Sequence, residues 1–160
     1  MKNKYFRTSV SHAMEGLLYT AYNERNFRID IVCAMYVIWF ASACRLSEIE
    51  WLFVISAVGL VLIAETFNTA LERAVDSFSE AYNEAAKNSK DASAGAVVIC
   101  ALLAAAVGIA VFADRIRIFM AVETITSSAV RLFVFAAITI FAVWFIFLFG
   151  KKKEDRKGKI

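Results

Sequence analysis

Polar and apolar positions divide this sequence into a mixed amino-terminal stretch, four oily stretches and a charged tail. Within residues 5–28, Phe6, Val10, Ala13, Leu17, Thr20 and Ala21 recur at helical spacing, with Arg7, His12, Glu15 and Asn23 between them. That pattern predicts an amphipathic helix lying in a membrane surface. The oily stretches follow. Ile31–Cys44 has 14 uncharged residues, Trp51–Ala64 opens a second run, Ala92–Ala113 has 22 and Leu132–Gly150 has 19. Roughly 20 apolar residues cross ~30 Å of hydrocarbon, so the first run must extend into its flanks to span. The pattern predicts an all-α integral membrane bundle: a surface helix over 5–28, spans at about 29–45, 51–72 and 92–113, and a linker with an additional transmembrane helix within 114–150.

Composition agrees. Of 160 residues, 60% are hydrophobic and the mean hydropathy is +0.60, too oily for an ordinary soluble domain. Proline is absent, and in lipid the backbone must satisfy its own hydrogen bonds, which favours long helices. Cys33, Cys44 and Cys100 all lie in apolar runs, an odd count with neither a disulfide framework nor zinc spacing. The amino terminus lacks the apolar core of a signal peptide. Lys and Arg cluster before the first run (Lys2, Lys4, Arg7, Arg25, Arg28), between the second and third (Arg73, Lys87, Lys90) and in the tail "KKKEDRKGK". Four spans with both termini and the 72–91 link in the cytoplasm satisfy most of this. Arg115, Arg117 and Arg131 in the last link run against it. Residues 151–160 form a basic cytoplasmic tail, a topology anchor beside anionic lipid. No nucleic acid partner is expected.

One stretch breaks the oily pattern. In "LIAETFNTALERAV", Leu62–Val75, Glu65 stands at the end of an uncharged run, and Asn68, Glu72 and Asp76 follow at spacings that keep one helix face. A carboxylate at membrane depth costs several kcal/mol and is usually functional. If Trp51 marks the outer interface, Glu65 lies ~21 Å further along, ~9 Å inside the cytoplasmic boundary, with Glu72 at the boundary itself. Glu24 and Asp30 flank the cytoplasmic end of the first span, and Lys90 and Asp91 that of the third. In a bundle these groups meet in one belt. Such carboxylates bind Mg²⁺ through oxygen, with nucleotide phosphates completing the shell. Neither a Walker loop nor a GxGxxG stretch is present, so metal, Lys90 and backbone groups would have to hold a nucleotide.

These residues carry a resemblance. "ETFNTALERAVD", 65–76, resembles the signature E-x-x-N-[ST]-A-[IL]-E-x-x-V-D of the prokaryotic diacylglycerol kinase and undecaprenol kinase family, at every fixed position. "EGLLYTAYNERNFRID", 15–30, resembles its surface helix, and "AKNSKDASAGAVVI", 86–99, its third-span opening. The likeness covers about residues 5–113. It implies a homotrimeric lipid kinase of the bacterial plasma membrane, with three spans per subunit, that moves the γ-phosphate of Mg-ATP to a membrane lipid alcohol. By motif position, Glu65 would be the general base and Asn68 would help orient the lipid hydroxyl. Glu24 and Glu72 would be metal ligands, and Asp76, Lys90 and Asp91 would line the nucleotide side. Arg28 would touch substrate.

Two departures stand out. The chain continues into a further apolar run, and Asp30 stands where many undecaprenol kinases of this type carry a histidine. "NERNFRI" and "FNTALE" look nearer to the undecaprenol branch, with diacylglycerol as the alternative substrate. A non-catalytic metal-binding or carrier protein is the competing class, although a carrier needs ionisable groups along a whole crossing, and Leu52–Ile63 has none. Ordinary uses compete at single positions too: interhelical hydrogen bonding for Asn68, surface placement for Glu24, Glu72 and Asp76, and interface anchoring for Arg28 and Lys90.

Overall fold

The computed structural model describes residues 2–78 and 83–150, and these form six helices. They are α1 Lys2–Asn23, α2 Arg25–Ala41, α3 Glu48–Phe78, α4 Glu84–Phe112, α5 Arg115–Thr126 and α6 Ala129–Phe147. With no proline to remove a donor, several helix starts are marked by side chains that take over the free backbone groups. Ser47 and Glu50 form a capping box at α3: the Ser47 amide donates to Glu50 Oε2 at 2.8 Å, and the Glu50 amide to Ser47 Oγ at 3.3 Å. Asn83 caps α4 by accepting from the Ala85 amide, and Asp114 caps α5 by accepting from those of Ile116 and Arg117. Arg45, at φ 49°, turns the chain between α2 and α3 in the left-handed region.

Several expected boundaries move. The surface helix does not run to residue 28: α1 stops at Asn23, and Glu24 is extended at φ −105°, ψ 115°. The chain turns there and α2 begins at Arg25, ahead of the expected 29–45 span. The 114–131 stretch, read as a linker, contains α5. The additional apolar helix is present as α6. Three helices, α3, α4 and α6, are long and apolar enough to cross a membrane. α2 has 17 residues, a length of about 26 Å, just short of the hydrocarbon thickness. The basic tail over 151–160 lies outside the described residues.

α3 and α4 are the main antiparallel pair, α2 packs on α3, and α6 runs antiparallel along α2. Two hydrogen-bonded levels fix the register of α6 on the α2 side, and a ring contact from the end of α1 adds a third. Arg131 Nη1 donates to Ser42 Oγ at 3.1 Å, Tyr36 and Thr139 share a hydroxyl hydrogen bond of 2.8 Å, and the Tyr22 and Phe149 rings lie 4.9 Å apart. Two apolar clusters mark the ends of this unit. One gathers Ala21, Phe27, Val32, Ala142 and Phe145; the other joins Ala43 and Cys44 to Ala121 and Ile125 of α5. An Arg117–Glu50 ion pair ties α5 to the start of α3. Much apolar surface stays bare: only 6% of the most apolar window of α4 is buried by the chain itself. Such helices need lipid or another subunit around them, so this is a membrane protein.

Candidate functional site

The α3 face read from the sequence is the centre of the polar cluster. Glu65 is buried, at 6% relative exposure, in the middle of a helix otherwise dressed for lipid. Asp30 from α2, Glu24 from the α1–α2 corner and Glu72 from α3 lie near enough to act on it electrostatically. Four carboxylates from three separate stretches of chain therefore share one neighbourhood. The corner at Glu24 matters here. Had α1 run on to residue 28, as its periodicity suggested, Glu24 would sit mid-helix; instead it is the half-buried residue ahead of α2, and its side chain makes no capping bond.

One turn beyond Glu65, Asn68 is a clasp. Its Nδ2 donates to Glu72 Oε1 at 3.2 Å, and its Oδ1 lies 2.6 Å from Ser93 Oγ on α4. Ser93 Oγ is also 2.8 Å from the Lys90 carbonyl. The amide thus orients a carboxylate on its own helix while it holds the neighbouring helix. Further along, Lys90 pairs with Asp76 across the α3–α4 interface, with both side chains partly exposed. Asp91, the next residue, is exposed. The buried carboxylate and the charged, open groups therefore occupy successive levels of one helix pair.

Arg28 lies in the first turn of α2, beside the α1–α2 corner. It is buried, and its Nη1 donates to the carbonyls of Ala21 at 2.8 Å and Tyr22 at 3.1 Å. Those carbonyls end α1 and would otherwise lack partners. The observed use of Arg28 is to lock the α1–α2 corner. Arg73 has a related use that the sequence did not suggest: its guanidinium sits 5.0 Å from the centre of the Tyr19 ring, which holds α1 over α3. Ser93 was also missed. Its signal was faint, one hydroxyl in a run of small residues three positions after Lys90.

The donor set suits magnesium held jointly with a nucleotide. Among the described residues, no three His, Cys, Asp or Glu side chains converge as a preformed metal cage. Mg²⁺ seldom needs one, because it keeps several waters and takes one or two carboxylates plus substrate phosphates. Glu24 and Glu72 are carboxylates of that kind, one without a capping bond and one held by a single amide. Beneath α1 lies an apolar cleft of about 480 Å³, walled by α1, α2, α3 and α6. Its α3 wall includes Leu62 and Thr66, on either side of Glu65 in the chain.

The profile of the family described as prokaryotic diacylglycerol kinase matches residues 11–112. The chain is 34% identical over 114 residues to an undecaprenol kinase of Bacillus subtilis, a match covering 71% of this chain and 92% of that protein. It is 40% identical over 101 residues to a diacylglycerol kinase of Synechocystis, covering 62% of this chain and 58% of the relative's length. With a diacylglycerol kinase of Escherichia coli strain K12 it shares 30% identity over 96 residues, or 60% of this chain and 79% of the other. No solved structure matches.

Proposed function

The chain belongs to the prokaryotic diacylglycerol kinase family and is a lipid kinase, and from that premise we propose that it phosphorylates undecaprenol to undecaprenyl phosphate at the Glu65 cluster. Supporting this choice of lipid is the likeness to an undecaprenol kinase over nearly all of that protein's length. The observation that carries the site is the buried Glu65 carboxylate on α3, the helix that also walls the apolar cleft and that, about three turns further along, pairs Asp76 with the partly exposed Lys90 of α4. An oily alcohol and a water-soluble nucleotide can approach such an arrangement from opposite directions.

In this reading Glu65 accepts the proton of the lipid hydroxyl. The hydroxyl oxygen then bonds to the γ-phosphorus of ATP, the bond to the β–γ bridging oxygen breaks, and ADP leaves. Phosphoryl transfer asks the protein mainly for positioning and charge neutralisation. Glu24 and Glu72 would hold Mg²⁺ together with the nucleotide phosphates, and the metal would supply that neutralisation. Asn68 fixes the Glu72 carboxylate, Lys90 faces the phosphates from α4, and Asp76 and Asp91 border the nucleotide. Arg28 keeps Glu24 in position by locking the corner beside it. Both termini lie in the cytoplasm of a bacterial plasma membrane, so that the Asp76–Lys90 level faces ATP. The bare apolar face of α4 suits assembly into a homotrimer.

Transfer of labelled phosphate from Mg-ATP to C55 polyprenol and to diacylglycerol, by purified protein in mixed micelles, tests the reading. Glu65→Gln should lower transfer at least about a hundredfold while the protein still inserts and assembles. Full activity of that variant would remove the base assignment. Faster turnover of diacylglycerol than of polyprenol would replace the substrate.

A further inference from the structure

The apolar cleft beneath α1 is closed on one side by α6, a helix that the family match at 11–112 does not reach. Leu17 of α1, Phe27 of α2 and Leu62 and Thr66 of α3 line it together with Phe145 and Phe149. The volume, about 480 Å³, is that of a ligand pocket. Thr66 is the one lining residue with a polar side chain, and its hydroxyl already donates to the Leu62 carbonyl at 2.8 Å. A polar molecule entering here would give up hydrogen bonds to water and regain none, whereas hydrocarbon gives up nothing. Leu62 and Thr66 lie three residues before and one residue after Glu65 on α3, so the cleft runs along the helix that carries that carboxylate.

The wall supplied by α6 is firmly seated. The Phe149 ring lies 4.9 Å from Tyr22, 5.1 Å from Phe145 and 5.5 Å from Trp144. Next to it, Gly150 comes so close to the corner that an added Cβ would lie 2.9 Å from Arg28 Nη1 and 3.0 Å from the Tyr22 carbonyl oxygen. The end of α6 is thus held against the same residues that position Glu24.

We propose that α6 is part of the lipid site: Phe145 and Phe149 form the surface against which the hydrocarbon next to the reacting hydroxyl lies, and they set which lipid alcohols are accepted. The inference rests on the lipid-kinase reading of the Glu65 cluster and adds a specificity element to it. Neither phenylalanine touches reacting atoms; both act on the width of the cleft. A larger ring at 149 narrows it and disfavours a two-chain glycerolipid more than a single polyprenyl chain. A smaller side chain does the reverse.

The test compares kcat/KM for C55 polyprenol and dioleoylglycerol in mixed micelles for wild type, Phe149→Trp, Phe149→Ala and Phe145→Leu. The polyprenol-to-diacylglycerol ratio should rise about tenfold in Phe149→Trp and fall by a similar factor in Phe149→Ala, with KM for ATP unchanged. Phe145→Leu, a smaller change at the buried ring, should move the ratio in the direction of Phe149→Ala. A folding or insertion defect lowers both rates together and does not drive the ratio in opposite directions. Ratios within twofold of wild type in all three variants, in a protein that phosphorylates either alcohol, overturn the inference alone. A wild type that phosphorylates neither overturns the reading of the site and this inference with it.

Discussion

Replacing Asn68 by leucine removes a clasp without opening a large cavity. Two hydrogen bonds disappear. One is the 3.2 Å bond to Glu72 Oε1, and bonds to charged groups contribute about 1.5–3 kcal/mol when buried, nearer the low end at this half-buried site. The other is the 2.6 Å contact with Ser93 Oγ, an interhelical bond of the sort that averages about 0.6 kcal/mol in membrane proteins. The variant should therefore lose about 2 kcal/mol of stability. The functional effect has a separate origin. Glu72 loses the donor that fixes its carboxylate, so KM for ATP should rise about tenfold, equivalent to about 1.4 kcal/mol. Ser93→Ala gives the contrast, because it removes the interhelical contact and leaves the Asn68–Glu72 bond in place. Its KM for ATP should stay within about twofold of wild type, a change below ~0.5 kcal/mol. Steady-state assays at saturating lipid, with thermal inactivation measured alongside, separate the two quantities. Equal KM values in Asn68→Leu and wild type, or an equal rise in Asn68→Leu and Ser93→Ala, would refute the assignment of Asn68 as the residue that orients Glu72.

Gly150→Val should destabilise the folded chain by about 1–3 kcal/mol, read as a lower Tm, because the new side chain must displace the Arg28 guanidinium or the Tyr22 backbone. Gly150→Ala should cost less, and an unchanged Tm in both would show that α6 is not seated on the corner. Lys90→Ala breaks the pair with Asp76, but both side chains are partly exposed, so stability should fall by at most about 1 kcal/mol. KM for ATP should rise in that variant and recover in Lys90→Arg, which measures the cation's use by nucleotide rather than by the fold.

What the sequence disclosed follows from which physical signals are local. The long uncharged runs predict α3, α4 and α6 because a helix in lipid must be apolar over its whole crossing. The face shared by Glu65, Asn68 and Glu72 is legible because side-chain direction in a helix depends on spacing alone. The corner at Glu24 is not legible. "NERNFRID" has no proline or glycine, and the break is stabilised by Arg28 reaching back six and seven residues to carbonyls. α5 is hidden for a similar reason: twelve residues of mixed character carry little periodic signal, and what holds them is distant, Glu50 for Arg117 and Cys44 for the Ala121–Ile125 face. Ser93 and Arg73 belong to the same class. Each earns its place through a partner on another helix, and no property of its own neighbours in the chain announces that partner.

The position of α6 explains how an added helix can join such a protein without displacing its chemistry. In packing order the helices run α4, α3, α2, α6, so the addition lies against α2, remote from the α3–α4 interface that carries Asn68, Ser93, Asp76 and Lys90. It meets the site only at its last turns, where Phe145 and Phe149 complete the cleft and Gly150 presses on Arg28. α4 keeps its apolar surface bare and remains free for lipid or for a second copy of the chain. α5 crosses the opposite ends of the helices, pinned by Arg117 to Glu50, which fixes where α6 starts. A helix tethered at one end and stacked on the α1–α2 corner at the other constrains the surface helix directly. The end of α1 bears Tyr19, which meets Arg73 in the acidic segment of α3. The far end of α6 is therefore packed, through Gly150 and Arg28, against the corner that carries Glu24.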